Sequence, residues 1–293
     1  MFMKVSKLFT IALSVSLLAG CSSGSSAAKT SDGKSGKSSK TVYRTVDEIK
    51  KDGTLKVGVF GDKAPFGYIN DKGDYDGYDV YFANRMAKDL GTKIEFTPLD
   101  PAARIDAVNT GKVDITLANF TVTDERAEQV DFALPYMKVQ LGVVSPDSNV
   151  ITDVQQLIDN NEELIIAKGT TAETYFEKNY PKLKLQKYDA YADAYNALLA
   201  GRGAAFSTDN TEVLAWANSN KGYTVGIEAM GDTDTIAPAV AKGNKTLLDW
   251  INNEIKDLGK ENFFHKDYDA TLKSAFGADS NPDDMVVEGG VVD

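Results

Sequence analysis

Cysteine and histidine occur once each in the 293 residues, as Cys21 and His265. One cysteine excludes a disulfide within the chain. With so few candidates, Ser–His and Cys–His nucleophile pairs have little to draw on. His265 lies in "ENFFHKDYD", on a C-terminal helical segment, and reads as structural. Zinc-ligand spacings, a P-loop and a clean GxGxxG are also missing, so the composition favours a protein that is not an enzyme and holds no metal or cofactor. Basic residues are in deficit, 32 Lys and Arg against 43 Asp and Glu, for a formal charge of −11. Neutralising phosphates needs the opposite balance, which argues against nucleic acid as a partner.

One apolar run stands out. The chain opens "MFMKVSKLFTIALSVSLLAGCSS", in which Lys4 and Lys7 precede an apolar stretch from Leu8 to Gly20. The stretch is too short to span a bilayer and ends in small residues, as a secretory signal does. Its ending, "LLAGC", resembles a bacterial lipobox, which makes Cys21 the expected lipidation site after residues 1–20 are removed. The Ser/Gly/Lys tract that follows has almost no apolar residues, cannot form a core, and reads as a flexible tether over 21–42. These features describe a body moored outside a membrane by a lipid anchor.

That body, from about Thr41 to Asp293, is long enough for two lobes. Short β-rich runs alternate with amphipathic helices. Strands are expected at 54–61, in "KIEFTPLD" and in "KVDITLANF", with helices at 79–91 and in "AARIDAVNTG". After "QLGVVSP" the alternation resumes through "ELIIAKG", "KLQKYD" and "GAAFSTD", each followed or preceded by a helical stretch. Repeated βα units imply an α/β fold with two largely parallel sheets, in which ligands settle beyond the carboxyl ends of strands.

Three such ends carry unusual polar residues. Asn119, Thr121 and Arg126 follow the first, Gly169, Thr170 and Thr171 the second, and Asp209 closes the third. Free amides at a helix start beside hydroxyls favour an anion, and Arg126 adds a fork suited to a carboxylate. Asp209 offers an acceptor for a cation, and the pair describes a zwitterion such as an α-amino acid. Each element also has a local explanation. Thr170–Glu173 and Asp209–Glu212 both match the capping-box pattern, and Arg126 sits among Asp124, Glu125 and Glu128.

The segments "APFGYINDKGDYDGYDVYFANRMAKDLG", "GKVDITLANFTVTDERAEQVDFALPYM" and "AKGTTAETYF", in this order and spacing, resemble the extracellular solute-binding proteins (family 3) of polar amino-acid ABC importers. The resemblance covers nearly all of 43–277. It implies the two-lobe periplasmic-binding-protein-like fold of type II with two crossover hinge strands, one lobe over 43–139 plus 237–293 and the other over 140–236. It further implies a monomer that closes on its ligand and serves ABC permease and ATPase subunits. By motif, Thr121 and Arg126 would hold the ligand α-carboxylate, with the Asn119 region and Thr171 assisting, and Asp209 the α-ammonium.

Side-chain selectivity rests on fewer residues. Phe60 stands where many members of the family carry an aspartate that reads basic or amide side chains, so a lysine- or arginine-type ligand is not expected. Arg104 either reaches a side-chain acid or begins a helix. The run "VFGDKAPFGY", with "FFHKDYDATLKSAFG" and the "VVEGG" tail, is most similar to cysteine-binding members. Phe60 and Phe66 would wall a compact thiol pocket, unless they are ordinary core aromatics. Glutamate or aspartate is the alternative ligand. A surface adhesin, or a dehydratase on the same fold, is the competing class.

Overall fold

The computed structural model describes residues 42–277 and 280–292. The expected signal, Cys21 and nearly all of the tether lie outside the described residues. Two five-stranded sheets, each three parallel strands followed by an antiparallel one and an edge strand, organise the rest. In the first, Thr54–Val59 pairs in parallel with Lys93–Pro98 and with Ile115–Thr116. Ala239–Ala241 then joins antiparallel to Ile115–Thr116 and to Val130–Phe132. In the second, Glu163–Ala167 pairs in parallel with Lys184–Tyr188 and Ala205–Asp209. Met137–Pro146 runs antiparallel to Ala205–Asp209, and Tyr223–Ile236 lies antiparallel at the edge. Each parallel trio is thus completed by a strand of opposite sense, because the chain enters or leaves each sheet from the other one.

Two long strands make that passage. Met137 pairs with Ile236 and Val139 with Asp234, whereas Leu141 pairs with Met230 and Val143 with Ile227. Met137, Val139 and Ile236 belong to the core around the first sheet, while Leu141 and Val143 belong to that of the second. Register shifts interrupt the pairing between these two sets of residues. Bulges of this kind bend and twist a two-stranded ribbon where it leaves one core for another. The fold is the two-lobe α/β arrangement with two crossover strands.

Local chemistry explains the elements that carry the site. The helix Tyr78–Leu90 ends at Gly91, whose φ of 72° is the left-handed cap that glycine adopts at no steric cost. The strand expected over "KVDITLANF" is shorter than its apolar pattern suggests, with only Ile115–Thr116 paired in the sheet. Ala118 and Asn119 have φ of 40° and 42°, which turns the chain out of the sheet. Left-handed conformations at non-glycine residues cost of order 1–3 kcal/mol each and persist only where the surroundings enforce them. Asp79, in the first turn of Tyr78–Leu90, does so. Its Oδ2 accepts the Asn119 N–H at 2.7 Å and its Oδ1 accepts the Tyr136 hydroxyl at 2.5 Å. Burial pushes the Asp79 carboxyl up to about 6, against the opposing pull of these two donors.

A third, small sheet was not foreseen. Asp62–Lys63, Gly67–Ile69 and Tyr75–Asp76 form an antiparallel hairpin layer, and it projects Lys63 toward the other lobe. At the C-terminus His265, on the helix Phe263–Asp267, stands 2.9 Å from both Glu288 and Asp283. It fastens the final segment, whose Val286 bridges to Met137, so His265 has a structural place as expected.

Tyr136→Phe keeps the ring and removes one donor from Asp79. We expect a loss of about 1–3 kcal/mol at pH 7 in urea unfolding, as for any buried acceptor deprived of its partner. The Asp79 carboxyl already titrates above the ordinary 3.8, so burying its charge weakens the fold as pH rises from about 4 through 6. The lost donor favoured the charged form, so Asp79 of the variant holds its proton to higher pH and the deficit of the variant should grow as pH rises above about 6. An equal loss at pH 4 and pH 7 would contradict this role.

Candidate functional site

Arg126 and Arg104 converge on one carbonyl. Thr123 caps the short helix Asp124–Ala127 by accepting the Arg126 N–H at 3.2 Å, which places Arg126 at the strand end. Its guanidinium donates to Thr121 O at 2.7 Å and to Gly169 O at 2.9 Å. Arg104 does begin a helix, Arg104–Asn109, but its side chain turns inward. It donates to the carbonyls of Pro101, Ala118 and Asn119, and at 3.0 Å to that of Gly169. Both guanidinium groups lie over the Phe120 ring, at 4.4 Å for Arg104 and 4.9 Å for Arg126.

This bears on two readings. Arg126 is 9% exposed, and no ion pair within 4 Å joins it to Asp124, Glu125 or Glu128 among the described residues, so it is not a solvated surface ion pair. Arg104 has four of its donor hydrogens committed to backbone, which leaves little with which to grip a side-chain acid. Burial, and for Arg126 the neighbouring charge of Arg104, lower the proton affinity of both. Carbonyl dipoles orient these cations without neutralising them, so the place where they meet favours an anion.

The opposite charge comes from the third strand end. Asp209 closes Ala205–Asp209 and precedes the helix Asn210–Ser219, but its side chain makes no cap. Nor does Glu212 close the expected capping box. The Glu212 carboxylate accepts from Thr208 and Tyr195, each at 3.0 Å, and pairs with Lys63 at 2.9 Å. Lys63 also donates to Asp209 Oδ2 at 3.1 Å and to Asn119 Oδ1 at 2.7 Å. Burial would strip the Lys63 proton, but Asp209 and Glu212 reverse this and hold it above the ordinary lysine range. Burial likewise pushes Glu212 up to about 7 despite the pull of Lys63.

The remaining expected residues divide between cleft and scaffold. Thr171 begins the helix Thr171–Asn179 and, with Gly169 and Arg126, borders a cavity of about 590 Å³. The Thr170 side chain serves its own helix instead, accepting the Glu173 N–H and donating to Ala167 O at 2.7 Å. Glu173 takes the Gly169 N–H at 2.7 Å, not that of Thr170, so that capping box is only half formed. Thr121 is 3% exposed and bridges to Ile236 on a crossover strand. Phe60 and Phe66 are both fully buried; Phe66 packs in the first core, and Phe60 packs with Tyr191 and Phe206 of the second sheet's layer. Lys63, Tyr191, Glu212 and Asp79 were not anticipated. The pair of acids flanking "NT" in "DNTE" was visible, yet it pointed to a cap.

Gly169 packs closely against Ala102. Its φ is +74°, and a Cβ there would lie 2.6 Å from Ala102 Cα and 2.8 Å from Ala102 N. Gly169→Ala should cost about 1–3 kcal/mol from the backbone conformation alone and should force the two segments apart. We expect a lower unfolding midpoint and a larger radius of gyration by small-angle scattering. Wild-type values for both would refute this account of the contact.

Comparison with known proteins agrees with this geometry. The model of the bacterial extracellular solute-binding proteins, family 3, matches residues 55–270. The structure of a cysteine-binding protein from Campylobacter jejuni superposes with a TM-score of 0.81 at 49% identity, covering 83% of this chain and 98% of that one. A solute receptor for L-cysteine from Neisseria gonorrhoeae gives 0.81 at 46% identity, covering 84% and 100%. A glutamine-binding protein of Geobacillus stearothermophilus is 33% identical over 217 residues, 73% of this chain and 82% of that protein. The match to the family model over most of the body, on a fold that brings the three strand ends together, places the chain in the bacterial extracellular solute-binding proteins of family 3.

Proposed function

We propose that the protein captures a small polar L-amino acid, cysteine first among them, and delivers it to an ABC permease driven by its ATPase subunits. One observation carries the reading. Two buried guanidinium groups, unpaired with any acid among the described residues, and the buried carboxylate of Asp209 meet at the same strand ends, Arg104 through the Asn119 carbonyl and Asp209 through Lys63, which also holds the Asn119 side chain. Opposite charges brought together in this way suit the α-carboxylate and α-ammonium of one ligand. Arg126 and Thr121 take the carboxylate with help from Thr171, while Asn119 shapes the loop and Asp209 takes the ammonium. In this reading the lobes are 43–139 plus 237–293 and 140–236, and they close about the paired crossover strands as a single chain. Closure removes water from charge-assisted hydrogen bonds and so strengthens them.

Cysteine is favoured by the two cysteine-binding structures at 49% and 46% identity. Glutamate and aspartate are disfavoured by the commitment of Arg104 to backbone carbonyls. The similarity to binding proteins over most of the chain supports binding over turnover or adhesion. Lipid attachment at Cys21 would keep the receptor at the outer face of the cell membrane.

In a panel of amino acids with reductant present, L-cysteine should give the largest thermal shift. A ligand at a hundredfold excess over its Kd stabilises by about 2.7 kcal/mol. Arg126→Ala and Asp209→Ala should each weaken that ligand by roughly 30- to several-thousand-fold in calorimetry, as when one member of a buried charge pair is removed. Wild-type affinity in either variant would refute its role, and no shift with cysteine would end the cysteine reading.

The anchor is tested separately. Cys21→Ser should release the protein from membranes in cell fractionation while leaving ligand affinity unchanged. Full retention in the membrane fraction would show that Cys21 is not the attachment point.

A further inference from the structure

Lys63 has a setting that a surface lysine does not need. It is 1% exposed, on the two-residue strand Asp62–Lys63 of the first lobe. Its ammonium reaches residues of the second. Glu212 Oε2 lies 2.9 Å away, Asp209 Oδ2 3.1 Å and the Tyr191 hydroxyl 3.3 Å, with Asn119 Oδ1 of its own lobe at 2.7 Å. Three aromatic rings complete the enclosure, Tyr191 at 4.6 Å, Phe60 at 5.4 Å and Phe66 at 5.8 Å from Nζ. Carboxylates, an amide oxygen and ring faces are the groups that recognise a primary ammonium. The protein has built a cation subsite and filled it with its own side chain.

We infer that Lys63 sets ligand specificity by occupying this subsite, excluding amino acids with basic side chains and admitting neutral ones. The inference rests on the amino-acid reading above and deepens it. Asp209 uses Oδ2 for Lys63, and its Oδ1 accepts no hydrogen bond from the described residues, so a ligand α-ammonium has an oxygen of its own. A side-chain cation directed at Glu212 finds that carboxylate already taken by Lys63, Thr208 and Tyr195, the acids Asp232 and Asp234 lying apart at the cavity beside Arg126. It would meet Lys63, Arg104 and Arg126 together, and like charges at such distances oppose binding strongly in a desolvated site. Phe60 contributes a wall of the same enclosure. Exclusion is therefore an active repulsion and not only the lack of an acid.

The test creates room and then offers cations. Lys63→Ala and Lys63→Ser leave Asp209 and Glu212 without their cation, so each variant should be less stable than wild type. Each should be titrated with L-cysteine, L-glutamate, L-ornithine, L-lysine and n-butylamine, which has the ammonium without the amino-acid head. Ornithine or lysine should bind the variants at least about 30-fold more tightly than they bind wild type. n-Butylamine should raise the melting temperature of the variants and not that of wild type, and adding Glu212→Gln should reduce both gains. Folded variants that bind basic amino acids no better than wild type does would overturn the inference. If neither variant folds, wild type decides: L-2,4-diaminobutyrate should bind more than tenfold more weakly than L-homoserine, and equal binding would overturn it. A wild-type protein that binds nothing in the panel would refute the amino-acid reading, and the n-butylamine result would then judge Lys63 alone.

Discussion

Three cations with almost no access to water, Lys63, Arg104 and Arg126, are the constraint around which the cleft is organised. A buried charge without partners is among the most costly features a fold can carry, so each must be answered by something nearby. The answers differ. Lys63 meets two carboxylates, whereas the arginines meet carbonyl oxygens and the face of Phe120. Carboxylates cancel a charge; carbonyls only aim it. The result is a cleft in which the cationic end retains its attraction for an anion and the carboxylate end is already shared with Lys63.

Much of the surrounding structure can be understood as support for that arrangement. Asp79 holds Ala118 and Asn119 in left-handed conformations, and this brings their carbonyls to Arg104. Thr123 and Thr170 cap helices and thereby fix Arg126 and the Gly169 turn. Gly169 is required twice, for its positive φ and for its contact with Ala102, and its carbonyl then receives both arginines from the other lobe. Asp62 adds a further link by accepting the Ala192 N–H at the start of Tyr191–Leu199. These contacts between lobes are single hydrogen bonds and ion pairs, whereas the two crossover strands pair over most of their length with register shifts at the passage. Separating the lobes would also withdraw Phe60 and Ala118 from their packing among residues of the second sheet.

The acidity of the whole chain and the character of its cleft are independent. A formal charge of −11 sets solubility and discourages polyanions, yet the proposed site gathers the buried cations Lys63, Arg104 and Arg126. Overall charge therefore screens partners for the surface and is silent about the ligand. Ligand preference follows instead from which local charges already have counter-ions, and membership of a solute-binding family gives that local pattern its meaning.

Much of the architecture was legible in the sequence. Alternating β-rich and amphipathic stretches, closed by residues such as Gly91, determined an α/β fold, because hydrophobic periodicity and caps act over a few neighbouring residues. The same local logic marked Asn119, Thr121, Arg126, Gly169, Thr171 and Asp209, which stand where strands end. Local logic also misled. An apolar run suggested a long strand through Asn119, and Glu212 resembled a cap residue, since neither pattern reveals what will be packed against it. Only the tertiary structure decided that Lys63 is buried, that Glu212 and Tyr191 enclose it, and that Arg104 turns inward to carbonyls. Lys63 and Asp209 are separated by 146 positions in the chain. A lysine on a two-residue strand has no periodicity to announce its burial, and its partners come within reach only when two separately formed sheets bring their strand ends face to face.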